Sequence, residues 1–153
     1  MTKDYPWGKG TPTWVQDATA NNSDKSFTVP VGKVWKLLSI HAEITCSAKV
    51  GSRNLAVSTT NGADLINIQG RTGGIGAAQV GVLNIFAGGA FYTAAASYNP
   101  TLAGATPNVA FGASYQPDIL LPAGYVIRVY DTGAVDVAAD DLTVVLHYVE
   151  YDA

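Results

Sequence analysis

The side chains best suited to chemistry in this sequence are its two histidines, His41 and His147. His41 and Glu43 are two residues apart, which on a β-strand places both side chains on one face. A zinc or iron site needs several converging ligands, and a metal-binding cupin barrel would supply a His-x-His pair, a carboxylate and a third histidine. The sequence contains no such set. We therefore expect neither a metal ion nor another cofactor.

Other catalytic patterns are equally weak. Residues 70–76 (Gly-Arg-Thr-Gly-Gly-Ile-Gly) contain the glycines of a phosphate-binding loop but lack the Lys-Ser/Thr that follows them in such loops. Asp136, Asp140 and Asp141 do not have the spacing of a calcium-binding loop. No Gly-x-Ser-x-Gly nucleophile elbow occurs either. The residues therefore give no reason to expect an enzyme.

The elements that must position these side chains follow one pattern that occurs twice, at residues 29–37 and 121–129. Both stretches have the order aliphatic-Pro-x-Gly-x-Val-x-base-aliphatic. The proline ends an incoming strand because it has no N–H to donate, and the glycine allows the turn into the next strand. Two such corners, one in each half of the chain, predict an all-β fold, an antiparallel β-sandwich.

The clearest predicted strand covers residues 38–46, where apolar and polar side chains alternate. This alternation predicts an inward-facing set of Leu38, Ile40, Ala42, Ile44 and Cys46. It predicts that the side chains between them face outward, namely Ser39, His41, Glu43 and Thr45. Asn61 and Gly62 predict a tight turn between two further strands. The remaining strands are predicted over residues 25–29, 53–60, 64–69, 77–86, 119–121, 125–129 and 142–151.

Composition indicates one soluble domain that contains few charged residues. The 153 residues are 48% hydrophobic and only 14% charged, against about 25% charged in typical soluble domains. A chain so short of charge either buries part of its surface in an assembly or tolerates an unusually neutral surface. Residues 1–71 contain eight bases and five acids, and residues 72–153 contain one base and seven acids. This asymmetry suits contacts with other proteins.

Several compartments and partners are not expected. Cys46 is the only cysteine, which excludes an internal disulfide, and the start of the sequence lacks the apolar core of a signal peptide. No cluster of Lys and Arg alternates with aromatic residues, so we expect no nucleic acid. The most hydrophobic stretch, residues 80–96, is interrupted by polar residues and glycines, so we expect no membrane span. Synthesis in a cytoplasm is expected.

Residues 1–24 are predicted to form an extended N-terminal arm that precedes a single sandwich domain at residues 25–153. The arm is polar, contains prolines and glycines, and carries three large aromatic residues, Tyr5, Trp7 and Trp14. Aromatic side chains of this size are rarely left in water. They are expected either to cover the end of their own sandwich or to bind a neighbouring molecule.

Residues 70–114 differ in kind from the rest of the sandwich. They contain nine of the sixteen glycines, eleven alanines and one charged residue, Arg71. We predict long connections over residues 90–114, with a short helix or a loop at residues 91–96. Because interface cores are poor in charge and rich in aromatic residues, we predict a subunit interface here, formed by Phe86, Phe91, Tyr92, Tyr98 and Phe111. The alternative is a neutral loop that folds over its own sheet.

Four stretches of the sequence resemble small virion proteins of tailed bacteriophages: residues 27–40, 51–55, 120–129 and 140–151. The resemblance implies a capsid decoration (cement) protein with a jelly-roll-like sandwich. It also implies a homotrimer on the capsid surface, bound between subunits of the major capsid protein and made in the host cytoplasm. A location in the tail, neck or fibre stays open. The alternative function is a carbohydrate- or receptor-binding module of a phage tail or fibre.

Overall fold

The computed structural model describes residues 9–19, 21, 24–71, 74–86, 89–95, 110–111 and 120–153. Its strands, in chain order, are β1 (Thr11–Asp17), β2 (Lys25–Thr28), β3 (Lys33–Thr45), β4 (Leu55–Thr60), β5 (Leu65–Arg71), β6 (Val80–Phe86), β7 (Gly89–Ala95), β8 (Ala110–Phe111), β9 (Leu120–Pro122), β10 (Val126–Asp131) and β11 (Asp141–Asp152). The predicted all-β class is confirmed. Within the ranges described, no helix has the length and apolarity to cross a membrane.

The strands form two antiparallel sheets. The larger sheet has the order β1-β11-β3-β6-β7-β8, and the short strand β9 pairs with β3 as well. The smaller sheet has the order β2-β10-β4-β5. The strand β3 is central because β11 pairs with its whole length on one side, while β6 and β9 share the other side.

One apolar core joins the two sheets. Its fully buried members include Ile40, Ile44, Leu55, Leu83, Ile85, Leu121, Ile127, Leu142 and Leu146. Burial of each such side chain contributes about 1.5–3 kcal/mol. At one end of the core the ring of Trp35 stacks on that of Tyr148, with 4.0 Å between the ring centroids. The indole N–H of Trp35 donates to Glu150 Oε2 at 3.0 Å, so this buried donor is satisfied.

The alternation predicted for residues 38–46 is wrong at its first member. Leu37 is buried and Leu38 is 37% exposed, whereas the residues from Ile40 onward follow the predicted phase. The register of β3 against β11 shifts at this point, so that Leu38 is an extra residue on β3. A β-bulge of this kind changes which residues of the strand face the core. The inward set therefore passes from odd-numbered to even-numbered residues at the bulge.

The two Pro-x-Gly corners are confirmed, and they lie side by side at one end of the sheets. The N–H of Val29 donates to the carbonyl of Tyr125, and the N–H of Gly124 donates to the carbonyl of Val29, both at 2.9 Å. Gly32 and Gly124 have φ angles of +74° and +84°. Glycine adopts this left-handed conformation without a steric penalty. The repeated sequence pattern therefore corresponds to a repeated and mutually paired turn.

Part of the predicted N-terminal arm is a strand of the larger sheet. The strand β1 pairs with β11 over its whole length, so residues 11–17 of the predicted arm are an edge strand of their own sandwich, and an arm over these residues is not confirmed. The turn after β1 is held by Lys25, whose ammonium group is buried and donates to the Thr19 carbonyl at 2.8 Å and to Asn21 Oδ1 at 3.1 Å. Residues 1–8 lie outside the described residues.

Residues 70–114 contain more β-structure than the sequence predicts. Instead of a helix or a loop at residues 91–96, the structure has β7, which pairs with β6 from Gly89 to Ala95. The strand β8 then pairs with β7. The edge of β6 supplies hydrogen-bonding partners along its whole length, and such a partner is not visible in local composition. The prediction of long connections is therefore wrong for the residues of β7 and β8.

Candidate functional site

Trp14 is the one predicted arm aromatic among the described residues. It lies on β1, at the edge of the larger sheet, and its side chain is 62% exposed. In the ladder it is opposite His147 on β11. An indole with most of its surface in water is available for stacking or burial against another molecule. Tyr5 and Trp7 lie outside the described residues.

Four of the five predicted interface aromatics lie on three consecutive strands towards the other edge of this sheet. Phe86 ends β6, Phe91 and Tyr92 are on β7, and Phe111 is on β8. Phe91 is directly opposite Phe111 in the ladder. Tyr98 lies outside the described residues. The structure thus places four predicted interface residues on adjacent strands, which β11 and β3 separate from the predicted arm contact.

Both histidines lie on the face of the larger sheet that points away from the core. His147 Nδ1 is 3.0 Å from Ser39 Oγ, and His41 Nδ1 is 2.6 Å from Asn84 Oδ1. Because an amide oxygen only accepts hydrogen bonds, His41 donates from Nδ1. Trp14, His147 and Ser39 are direct neighbours across three strands. The exposed indole is therefore next to hydrogen-bonding side chains on one face.

The polar side chains of this face pair with one another, and among the described residues they do not form a nucleophilic triad. A nucleophilic triad needs a carboxylate on the second nitrogen of its histidine. In the described part of the chain, the hydrogen bond of the His147 side chain is with Ser39. The same part of the chain contains no group of three or more His, Cys, Asp or Glu side chains that could hold a metal ion. The geometry offers donors, acceptors and one aromatic ring.

Sequence reasoning predicted the residues that β3 contributes to this face but not their hydrogen-bonding partners. The alternation along β3 correctly predicted that Ser39 and His41 point away from the core. The partners of these residues, His147 and Asn84, are on β11 and β6, far away in sequence. Which strands become neighbours is decided by packing of the whole sheet, and no local signal in the sequence reports it.

A second polar centre is buried under the loops at the end of the sheets opposite the corners. The side chains of Arg53 and Asp140 are both 0% exposed and form a bidentate ion pair, Nε to Oδ2 at 2.8 Å and Nη2 to Oδ1 at 3.0 Å. Arg53 also donates to the carbonyls of Lys49 (2.8 Å) and Gly51 (3.2 Å) and to the hydroxyl of Ser47 (3.2 Å). Each of its N–H groups thus has an acceptor.

The electrostatics of this centre favour a structural role. Burial raises the pKa of Asp140, but the hydrogen bonds from Arg53 and from the backbone N–H of Ser47 outweigh burial and hold it below its ordinary value. Burial also raises the pKa of the nearby Cys46 thiol to about 11, so the reactive thiolate is scarce near neutral pH. The ion pair therefore joins the loop that precedes β4 to the loop that precedes β11. Sequence reasoning missed it because Arg is rarely fully buried.

Comparisons with known proteins identify no family for this chain. No protein-family model matches it, and no curated protein matches it either. The resemblance to phage decoration proteins therefore stays a prediction. The geometry of the larger sheet provides the physical basis on which a function can be proposed.

Proposed function

We propose that this chain is a structural protein of a phage virion that decorates and stabilises the capsid by binding between subunits of the major capsid protein. One observation carries the proposal. The two edges of the seven-stranded sheet hold the predicted contact residues, Trp14 at β1 and Phe91 with Phe111 at β7 and β8. A protein that stabilises a shell must bind at least two neighbours at once. Two separate edges of one sheet suit this requirement.

The strand order supports a jelly-roll-like sandwich as the scaffold. Without β7, β8 and β9, the two sheets have the orders β1-β11-β3-β6 and β2-β10-β4-β5. Eight strands in two packed sheets is the jelly-roll arrangement, which is common in viral capsid proteins and in lectins. This supports a virion role and also the alternative discussed below.

In the proposed mechanism the two edges have different partners. Trp14, together with Tyr5 and Trp7 of an N-terminal arm, binds the major capsid protein. The aromatic residues of β6 to β8 bind sister copies in a homotrimer. Burial of one large aromatic side chain contributes about 1.5–3 kcal/mol. Each contact is therefore modest, but trivalent attachment on a repeating lattice makes the combined binding strong.

The experiment is a binding assay on heads of the parent phage that were assembled without this chain. Trp14→Ala should lower the apparent affinity for heads by about tenfold or more, since about 1.4 kcal/mol of lost burial gives this factor. Its unfolding midpoint should stay unchanged because the indole is mostly exposed. The control is Val31→Ala, which changes a side chain 96% exposed at the first corner.

The outcomes test the decoration function and the assignment of the two edges separately. If the unmodified chain does not bind heads, the decoration function is refuted. If it binds and Trp14→Ala binds equally well, the role of the β1 edge is refuted. If Val31→Ala weakens binding as much as Trp14→Ala does, the corner end belongs to the contact and the assignment of the two edges is wrong.

A second function, a carbohydrate- or receptor-binding module of a phage tail or fibre, is favoured by one specific observation. The exposed indole of Trp14 is beside His147 and Ser39 on a sheet face. An indole stacks on the C–H face of a sugar ring, and neighbouring side chains can bind its hydroxyl groups. A glycan array would test this function. Binding that is lost in Trp14→Ala and kept in Val31→Ala would support it, and an array without signal would contradict it.

A further inference from the structure

The strands β6 and β9 lie end to end along one side of β3. The strand β6 pairs with β3 between Ser39 and Thr45, and β9 pairs with it between Val34 and Lys36. Both pairings are antiparallel, so β6 and β9 run in the same direction. Together they occupy the position of one continuous strand.

The register of the two segments agrees with this description. Phe86, the last residue of β6, is opposite Ser39, and Leu120, the first residue of β9, is opposite Lys36. Two residues of β3 lie between these positions, whereas 33 residues of chain, 87–119, connect β6 to β9. A connection of two residues would continue the ladder in the same register. The bulge of β3 lies at this same point.

Both segments already fill the core on their own side of the interruption. The strand β6 contributes Leu83 and Ile85, and β9 contributes Leu121, and all three side chains are about 2% exposed. Rejoining the segments would leave a larger sheet of β1, β11, β3 and one long strand, packed on the four strands of the smaller sheet. The sandwich is therefore topologically complete without the intervening residues.

The composition of the intervening residues is unlike that of a solvated insertion. Residues 87–119 contain one charged residue, Asp118, among 33, against 20 among the other 120 residues of the chain. They also contain five of the fifteen aromatic residues. Loops that run over a protein surface in water are normally polar. A charge-poor and aromatic segment attached to a finished sandwich is typical of an interface core.

We propose that residues 87–119 (the insertion) interrupt a single strand of the sandwich and are unnecessary for its fold, and that the two strands they contribute, β7 and β8, carry the contact with a second copy of this chain. The self-association part rests on the proposed function, in which sister copies bind through this edge. The described strands of this segment, β7 and β8, extend the larger sheet beyond β6 on the side away from β3. A copy that binds there leaves the β1 edge open.

The first experiment replaces residues 87–119 by the two-residue linker Gly-Ser. The linker contains glycine because glycine can adopt the backbone conformation that a position beside the bulge requires. The shortened chain should give the β-sheet circular dichroism spectrum and a cooperative thermal transition. By light scattering it should have the mass of one chain at concentrations where the full chain, 15.9 kDa, has the mass of three. A folded variant that keeps the oligomer overturns the contact assignment. A full chain that is monomeric at every concentration overturns it too.

If the Gly-Ser linker itself prevents folding, a second variant tests whether the insertion is needed for the fold. A protease recognition sequence placed after Gly104 in the full chain allows a cut inside the insertion. The two fragments should stay associated in non-denaturing buffer, and the unfolding midpoint should change by only a few degrees. Fragments that separate, or a midpoint that collapses after the cut, would overturn the claim that the insertion is unnecessary for the fold.

Head binding distinguishes a failure of this inference from a failure of the proposed function. If the full chain is an oligomer that does not bind heads and the shortened chain is a folded monomer, the insertion and its contact stand and the decoration function fails. If the full chain binds heads and the shortened chain remains oligomeric, the decoration function stands and the contact assignment fails.

Discussion

Replacing Arg53 by methionine should lower the free energy of unfolding by about 3–5 kcal/mol near neutral pH. The substitution keeps an unbranched apolar side chain but leaves the Asp140 carboxylate buried without its cation. The backbone N–H of Ser47, at 2.7 Å, stays as a hydrogen-bond donor to that carboxylate. The carbonyls of Lys49 and Gly51 also lose the donors that Arg53 provides. For a domain of this size, the melting temperature should fall by roughly 6–20 °C.

Equilibrium unfolding in urea measures this loss, with the slope m compared to show that the same surface is exposed. The matched control is Arg128→Met. Arg128 is also bound to a carboxylate, that of Asp24, but the two side chains are 46% and 43% exposed. An exposed pair of this kind contributes at most about 1 kcal/mol. If the two arginine variants lose equal amounts of free energy, the reasoning from burial is refuted.

The pH dependence of the free energy of unfolding tests whether the loss of stability in Arg53→Met comes from a buried charge. In the folded chain the pKa of Asp140 is lowered, so its contribution to stability is present above the unfolded-state value and is lost as pH falls through the folded value. Without Arg53, burial dominates and the carboxyl takes up its proton at a higher pH. The deficit of Arg53→Met should therefore shrink as pH falls from neutral. The double variant Arg53→Met/Asp140→Leu should recover most of the loss, whereas a pH-independent deficit would indicate packing alone.

Three further predictions concern packing and backbone. Leu37→Ala should lower the free energy of unfolding by about 2–5 kcal/mol because Leu37 is buried, whereas Leu38→Ala should lower it by less than about 1 kcal/mol because Leu38 is partly exposed. Equal losses of unfolding free energy, measured by urea denaturation, would contradict the bulge. Cys46, whose thiol pKa is raised to about 11 by burial, should react with a thiol reagent no faster than the protein opens, and fast labelling of the folded chain would contradict this. Gly133→Ala should lower the melting temperature more than Gly32→Ala. A methyl group at Gly133 meets backbone atoms, whereas one at Gly32 has open space and adds only the backbone strain of a positive φ angle.

The sequence predicts the parts of this fold that depend on local chemistry. The two corners were readable because Pro30 and Pro122 lack an N–H and because Gly32 and Gly124 take positive φ angles. The outward position of Ser39 followed from the period of two along a strand. These features depend on a few neighbouring residues, so a short window of sequence contains all the information they need.

The features that sequence reasoning missed depend on distant parts of the chain. Leu38 looks like a core residue by alternation, but the pairing of β3 with β11 makes it the extra residue of a bulge. Residues 91–95 form a strand because the edge of β6 is available to pair with them. Arg53 becomes a buried ion-pair partner only when Asp140, 87 residues away in sequence, reaches it. Each outcome is set by tertiary context that overrides local preference.

The charge deficit is greatest at one edge of the larger sheet, where β6, β7 and β8 contain no charged residue. The smaller sheet carries the exposed guanidinium of Arg128, which lies 4.5 Å above the ring of Tyr130 and pairs with Asp24. An exposed ion pair of this kind is typical of a protein surface that stays in contact with water. The uncharged strands β6 to β8 are in the larger sheet, so we expect contacts with neighbouring molecules to use that edge and to leave the smaller sheet in solution. Arg128→Met should therefore bind heads as well as the unmodified chain, and weakened binding would move the contact to the smaller sheet.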